Sequence, residues 1–223
     1  MVGSAHSRIF FMVDRMRTLR LGRLVPVALV LAAPLHVARA QRMTGPHPSP
    51  KIPMPVQLDT HGQVESTLAR VGDDVYIAGQ PTAAALRSLH ERGVTTVVNL
   101  RPPDEMAHVP YDEPAAAKAL GMTYISLPVR GNERYPFTPE TLRRFAEVMR
   151  TAKGGVLLHC TVAWRASHLW AAYLIQERGL PDDSALVNAR AINLMDGMGH
   201  GGGMEPVEQF LGRKVTGLRH GQN

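Results

Sequence analysis

The sequence predicts an α/β domain, a three-layer arrangement with a mainly parallel central sheet and helices on both faces. Three observations carry this reading. From about residue 63 onward, short apolar runs alternate with helical patterns, the order that strand–helix–strand units impose. Residues 95–100 and 156–159 are nearly continuous in apolar character, as strands covered on both faces are. A hydrophobic content of 44% in 223 residues is that of a globular chain, long enough for one domain with extensions.

Taken in order, residues 1–40 read as a secretory leader. Arg17, Arg20 and Arg23 give a positive start, and Met16 fits as the initiator. Residues 24–37 are apolar and uncharged, and Ala38-Arg39-Ala40 supplies a small-x-small cleavage pattern before Gln41. The apolar stretch is shorter than the roughly 20 residues of a membrane span, so no stable membrane insertion is expected after cleavage. No cysteine follows the cleavage site, so no lipid anchor is expected there. The formal charge of +6 is concentrated in this leader: residues 1–40 hold six arginines and one acid, which leaves 19 basic and 18 acidic residues elsewhere. Nucleic acid is therefore not an expected partner.

Residues 41–62, with Pro46, Pro48, Pro50, Pro53 and Pro55, read as an extended tether outside the core. A first strand covers 75–77. Gly79-Gln80-Pro81-Thr82 then turns into a helix capped by Thr82, with Leu86 and Leu89 inward and Gly93 at its end. A strand over 95–100 and a helix over 114–120 follow, with Gly121 leading to a strand over 122–127. Thr138-Pro139-Glu140 combines a hydroxyl cap, a proline at the first helical position and an acid in the first turn. Leu142, Phe145, Ala146 and Met149 then mark one face of that helix. After Lys153-Gly154-Gly155 come a buried strand over 156–159 and a helix with Leu169, Trp170, Tyr173 and Leu174 inward. A last helix begins near Asp182 and fades by Asp196. The domain is thus expected over 63–195. Residues 196–223 are read as a glycine-rich loop and tail, in which the stretch around His200 is a lid or a plain connection.

The chemistry lies between the last strand and its helix. Ligands of such sheets bind beyond the carboxyl ends of the strands, where loop and helix N–H groups favour negative charge. Cys160, the one cysteine, cannot form an intramolecular disulfide. It sits at that spot, where the helix dipole and Arg165 favour a thiolate nucleophile. Arg165 can hold two oxygens of a tetrahedral oxyanion in a bidentate fork. Thr161, Val162, Ala163, Trp164 and Ala166 would line the oxyanion loop, and His159 would order it through hydrogen bonds. His159, Cys160 and His168 lack a zinc spacing, and neither metal nor cofactor is expected.

His159-Cys160 followed by a short loop and Arg165 resembles the phosphate-binding loop of the protein-tyrosine and dual-specificity phosphatase superfamily. The chain resembles in particular a bacterial branch, the beta-lactamase-hydrolase-like phosphatases. That likeness runs from about residue 75 to 191. It is carried by Ala78-Gly79-Gln80-Pro81-Thr82, Asn99-Leu100-Arg101-Pro102, residues 124–128, and His159-Cys160 through Arg165 to Leu169-Trp170-Ala171. The resemblance implies a protein-tyrosine-phosphatase-like fold and hydrolysis of phosphate monoesters through a Cys160 thiophosphate. The substrate would be a phosphorylated small molecule or a phosphoprotein. The branch places Gly where Ala163 stands and a small polar residue where Trp164 stands. Four residues separate Cys160 from Arg165, one fewer than in most of the superfamily, and this is also the loop length of rhodanese-type sulfurtransferases.

A general acid is the remaining requirement of ester cleavage. The loop that supplies it in the superfamily corresponds here to residues 130–134, where Glu133 is the only carboxylate. Glu133, flanked by Arg130 and Arg134, reads more readily as a solvated surface charge, and Asp104 and Glu105 beyond the neighbouring strand are alternatives of the same standing. Arg101 would face the pocket or brace the turn before Pro102-Pro103. Three functions stay open on these residues: an exported phosphatase in the periplasm or medium, a sulfurtransferase carrying a Cys160 persulfide, and a non-catalytic oxyanion-binding module. Protein recovered from its host is expected to begin at Gln41 by N-terminal sequencing; an intact leader on cytosolic protein would overturn the export reading.

Overall fold

A computed structural model describes residues 51–195 and 203–216. The expected leader, its cleavage site, the first part of the tether and His200 lie outside the described residues. The strands are β1 (Val56–Gln57), β2 (Leu68–Val71), β3 (Val75–Ala78), β4 (Val94–Asn99), β5 (Thr123–Ser126) and β6 (Gly155–His159). The helices are α1 (Ala83–Glu91), α2 (Pro103–Met106), α3 (Glu113–Ala119), α4 (Pro139–Thr151), α5 (Trp164–Gln176), α6 (Asp182–Arg190) and α7 (Glu205–Leu211).

One six-stranded sheet runs in the order β1-β2-β3-β6-β4-β5. The pairs β3–β6, β6–β4 and β4–β5 are parallel, and β1 and β2 add an antiparallel edge beside β3. The expected fold class holds. Local chemistry explains the helix starts: Thr82, Asp112 and Thr138 each accept a hydrogen bond from the backbone N–H three residues on, satisfying a donor that the helix itself leaves open.

The sheet has two packed faces. Ile77, Val98, Leu158 and Cys160 pack on the side of α4, α5, α6 and α7. Tyr76, Ala78, Val97 and Leu157 pack on the side of α1 and α3. This alternation follows from the period of two along each strand. Strand β6 is central, and its last residue, His159, is in register with both Ala78 of β3 and Asn99 of β4. Three strands therefore end level, and Cys160 is delivered just past their carboxyl ends.

Two segments expected outside the domain are part of it. Within the expected tether, β1 pairs with β2, Ile52 packs on the larger core cluster, and the Pro53 carbonyl accepts from Asn188 Nδ2 at 2.9 Å. Prolines are tolerated there because a short edge strand needs few donors. Within the expected tail, α7 packs on α4 and α5, and its Val207 and Phe210 are fully buried. Phe210 meets Phe137 edge-on at 5.1 Å between ring centroids. None of the helices among the described residues is long and apolar enough to cross a membrane. Phe210→Ala is expected to cost about 3–5 kcal/mol, as buried aromatic truncations do, read from the denaturant midpoint; a change below about 1 kcal/mol would mean that α7 is not part of the cooperative core.

Candidate active site

The loop from Cys160 to Ala163 connects β6 to α5. It turns abruptly because Ala163 takes the left-handed region (φ 64°, ψ −3°) as the residue capping α5. A residue with a Cβ occupies that region at a cost of about 1–2 kcal/mol, so the surrounding structure must impose it. It does so through the chain after β3. Gln80 N–H donates to the Thr161 carbonyl at 2.8 Å, Cys160 N–H donates to the Ala78 carbonyl at 3.3 Å, and Gly79 forms an antiparallel bridge with Val162. From the other side, Asn193 Nδ2 donates to the Val162 carbonyl.

These contacts engage the Thr161 and Val162 carbonyls and the Cys160 N–H from outside. The first N–H groups of α5 have no acceptor within the helix, and no side chain caps them. The result is an uncapped helix start of the kind that takes an anion. Cys160 is 1% exposed at its edge. Ala163 and Ala166 are fully buried, while Val162 is 37% exposed at the rim. Trp164 is half-buried and forms a wall: its ring lies 4.2 Å from that of His168 and 6.4 Å from that of Phe137.

Arg165 is held by its surroundings. Its Nη1 donates to Glu105 Oε1 at 3.1 Å and to the Val129 carbonyl at 2.9 Å; its Nη2 donates to Glu105 Oε2 at 2.7 Å and to Thr161 Oγ1 at 2.9 Å. A guanidinium has five N–H donors, so the one on Nε is uncommitted. Glu105, from α2, also accepts from Thr161 Oγ1, from Nε and Nη2 of Arg130, and from Nε of Arg101. Burial by itself would raise the Glu105 pKa, but the hydrogen bonds and charge of Arg165, with Thr161 and Arg130, outweigh it and hold the group at about 2. Glu105 is a carboxylate at neutral pH.

His159 is fully buried, with Nε2 2.7 Å from Oε1 of an equally buried Glu113, at an angle too oblique for a well-formed hydrogen bond. Gln80 Nε2 donates to Glu113 Oε2 at 2.7 Å. Burial pushes the Glu113 carboxyl up, but His159, Gln80 and Arg101 more than compensate and keep it below the ordinary range.

The structure thus brings together Cys160, Arg165, the loop residues, His159 and Arg101. Arg101 braces the turn, giving Nη1 to Gln80 Oε1 at 2.6 Å and Nη2 to the Glu105 carbonyl at 3.0 Å. Glu133, offered above as the acid, does not join them: it is exposed and makes no hydrogen bond or ion pair. The reason is the tight turn over 131–135, where Gly131 and Arg130 both donate to the Tyr135 carbonyl and leave the residues between them on the outside. Glu105 is the carboxylate against the loop. Its place past the carboxyl end of β4, level with Cys160, was the available sequence signal. Glu113 gave none, because an acid in the first turn of a helix reads as a partner of the helix dipole.

A central parallel sheet with a cysteine at a strand end, an uncapped helix start and an arginine in the first turn of that helix has the architecture of a protein-tyrosine-phosphatase-like fold. Residues 67–176 match the family described as "Beta-lactamase hydrolase-like protein, phosphatase-like domain", so this segment is similar to that family. A beta-lactamase hydrolase-like protein of Xylella fastidiosa (strain Temecula1) is 28% identical over 67% of this chain and 31% of the relative. One from Agrobacterium fabrum is 36% identical over 45% of this chain and 23% of the relative. The chain therefore spans about a third or less of the length of these curated relatives. The crystal structure of PTPMT1 superposes with a TM-score of 0.53 at 20% identity, over 65% of this chain and 94% of that one, a likeness of fold.

The Glu105 pairing has a pH signature. A carboxyl held at about 2 instead of its ordinary 4.5 contributes stability that is fully present above pH 4.5 and is lost as pH falls toward 2. Denaturant titrations of wild type and Glu105→Gln are expected to differ at pH 7 and to converge between pH 4.5 and 2. A gap independent of pH would mean that the Glu105 charge does not contribute.

Proposed function

We propose that this chain is an exported cysteine-dependent phosphatase, acting on phosphate monoesters of small molecules or phosphoproteins. The observation that carries the reading is the uncapped start of α5 beside Cys160, with Arg165 in its first turn keeping Nε uncommitted. Donors of that kind beside a sulfur nucleophile suit a tetrahedral oxyanion. Cys160 Sγ attacks phosphorus, the S–P bond forms and the ester P–O bond breaks. The α5 N–H groups and the free Nε of Arg165 hold the equatorial oxygens. Water then cleaves the S–P bond, releasing inorganic phosphate and restoring the thiolate. Export rests on the leader pattern of residues 1–40 and places the enzyme in the periplasm or the medium.

In the present arrangement Glu105 orients Arg165 from behind and, being ionised, has no proton to give. Leaving groups that depart unaided are favoured accordingly. The ionised Glu105 and the four-residue spacing also support a second reading, sulfur transfer, which needs no proton donor: Cys160 would take the outer sulfur of thiosulfate, release sulfite and pass the sulfur to cyanide as thiocyanate.

Wild type is expected to hydrolyse aryl phosphates measurably and alkyl phosphates far more weakly. Cys160→Ser should abolish turnover while still binding inorganic phosphate. Glu133→Gln, at an exposed position, should change neither. Silence toward aryl phosphates, with thiocyanate formed through Cys160, would replace the phosphatase by a sulfurtransferase. Silence in both assays with phosphate still bound would leave an oxyanion-binding module.

A further inference from the structure

Beneath the loop lies a charged group that the proposed chemistry does not use. Glu113 is a carboxylate with no solvent exposure, on the α1–α3 side of the sheet, away from the Cys160 packing face. Burying a charge is expensive unless it is paired and hydrogen-bonded. An apolar residue at the first position of α3 would complete the core at no such expense. The partners of Glu113 lead in two directions. One is His159, the residue before Cys160, at 2.7 Å. That contact is a close charge contact between two fully buried groups, not a well-formed hydrogen bond. The other is Gln80 at 2.7 Å. Gln80 receives Arg101 Nη1 on its Oε1 at 2.6 Å, and Arg101 grips Glu105 through both its carbonyl (3.0 Å) and its carboxylate (3.3 Å). Glu105 in turn holds the end of Arg165.

We propose that Glu113 and Gln80 are positioning residues: with Arg101 and Glu105 they form a continuous polar run that couples His159, next to the nucleophile, to the Arg165 clamp. Glu113 meets His159 through Oε1 and Gln80 through Oε2, Gln80 uses its amide nitrogen and oxygen in turn, and Glu105 takes both Arg101 and Arg165, so a displacement at one end changes the geometry at the other. Gln80 is the obligatory link. Its amide presents a donor to Glu113 and an acceptor to Arg101, a polarity that neither a carboxylate nor an apolar side chain can reproduce. Its backbone N–H simultaneously holds Thr161, which ties the run to the loop itself.

The inference rests on the reading of Arg165 as an oxyanion clamp, and its test separates the two. The first readout is the ¹⁵N resonances of the His159 ring, which require no ligand. They are expected to move in Gln80→Leu and in the remote Glu105→Gln, but not in Glu133→Gln. The second is the affinity of Cys160→Ser protein for inorganic phosphate. Glu113→Gln, which is isosteric, and Gln80→Leu should each weaken binding about tenfold, as expected for loss of a hydrogen bond to a charged group. Their double variant should be no weaker than the poorer single one, since both break the same run. His159 resonances that ignore Glu105→Gln, or phosphate affinities that fall additively, overturn the coupling. Resonances that move as expected in a protein that binds no phosphate leave the run standing and remove the clamp reading.

Discussion

The turn after β3 passes the nucleophile loop at Gly79, where a Cβ would lie 1.7 Å from the Glu65 carbonyl oxygen and 2.8 Å from that of Thr161. No side chain fits between backbones that close, so glycine is required for space there and not for its range of dihedral angles. The contact sets the direction of the Thr161 and Val162 peptides. With their carbonyls engaged from outside, the N–H groups at the start of α5 are left for a ligand. The left-handed Ala163, the depth of Cys160 and the register of Arg165 on its helix all follow from the loop being pressed against this turn.

Charge is arranged around that frame so that no group at the site stands alone. Arg101, Arg130 and Arg165 converge on one carboxylate, Glu105, while Arg130 also pairs with Asp104. Such pairs are a poor source of net stability, because desolvation offsets much of the attraction. Their value lies in geometry: removing one partner strands the other, so the side chains occupy a single arrangement. An arginine with four of its five donors already engaged has little freedom left to lose when an anion arrives, and binding then costs less conformational entropy.

The parts of this design that follow from periodicity and end chemistry were legible in the sequence. Strands β3 to β6 and helices α1, α3, α4 and α5 carry runs or caps that decide their type locally, and the spacing from Cys160 to Arg165 named the loop. What stayed hidden depends on long-range contact. Strand β1 is two residues long and acquires its conformation from β2. Helix α7 has three buried residues, Pro206, Val207 and Phe210, and no side-chain cap, so its amphipathic signal is too short to stand out. Glu113 and Glu105 each look like ordinary acids near a helix start, and only the fold brings His159 and Arg165 to them. Glu133 shows the converse, a carboxylate at a suggestive place in the sequence that a tight turn faces outward.

Phe210 contacts Phe137, Phe137 flanks Trp164, and Trp164 forms a wall beside the Cys160 loop. The chain emerges from the ribosome from its N-terminus, so α5 and the whole Cys160 loop are synthesised well before Phe210 exists. Until then the α7-facing side of α5 has no cover, and the aromatic wall has no backing. The aromatic wall is therefore backed by a helix made well after the loop that it supports. A nascent chain stalled before α7 carries an exposed apolar surface of the kind that chaperones bind.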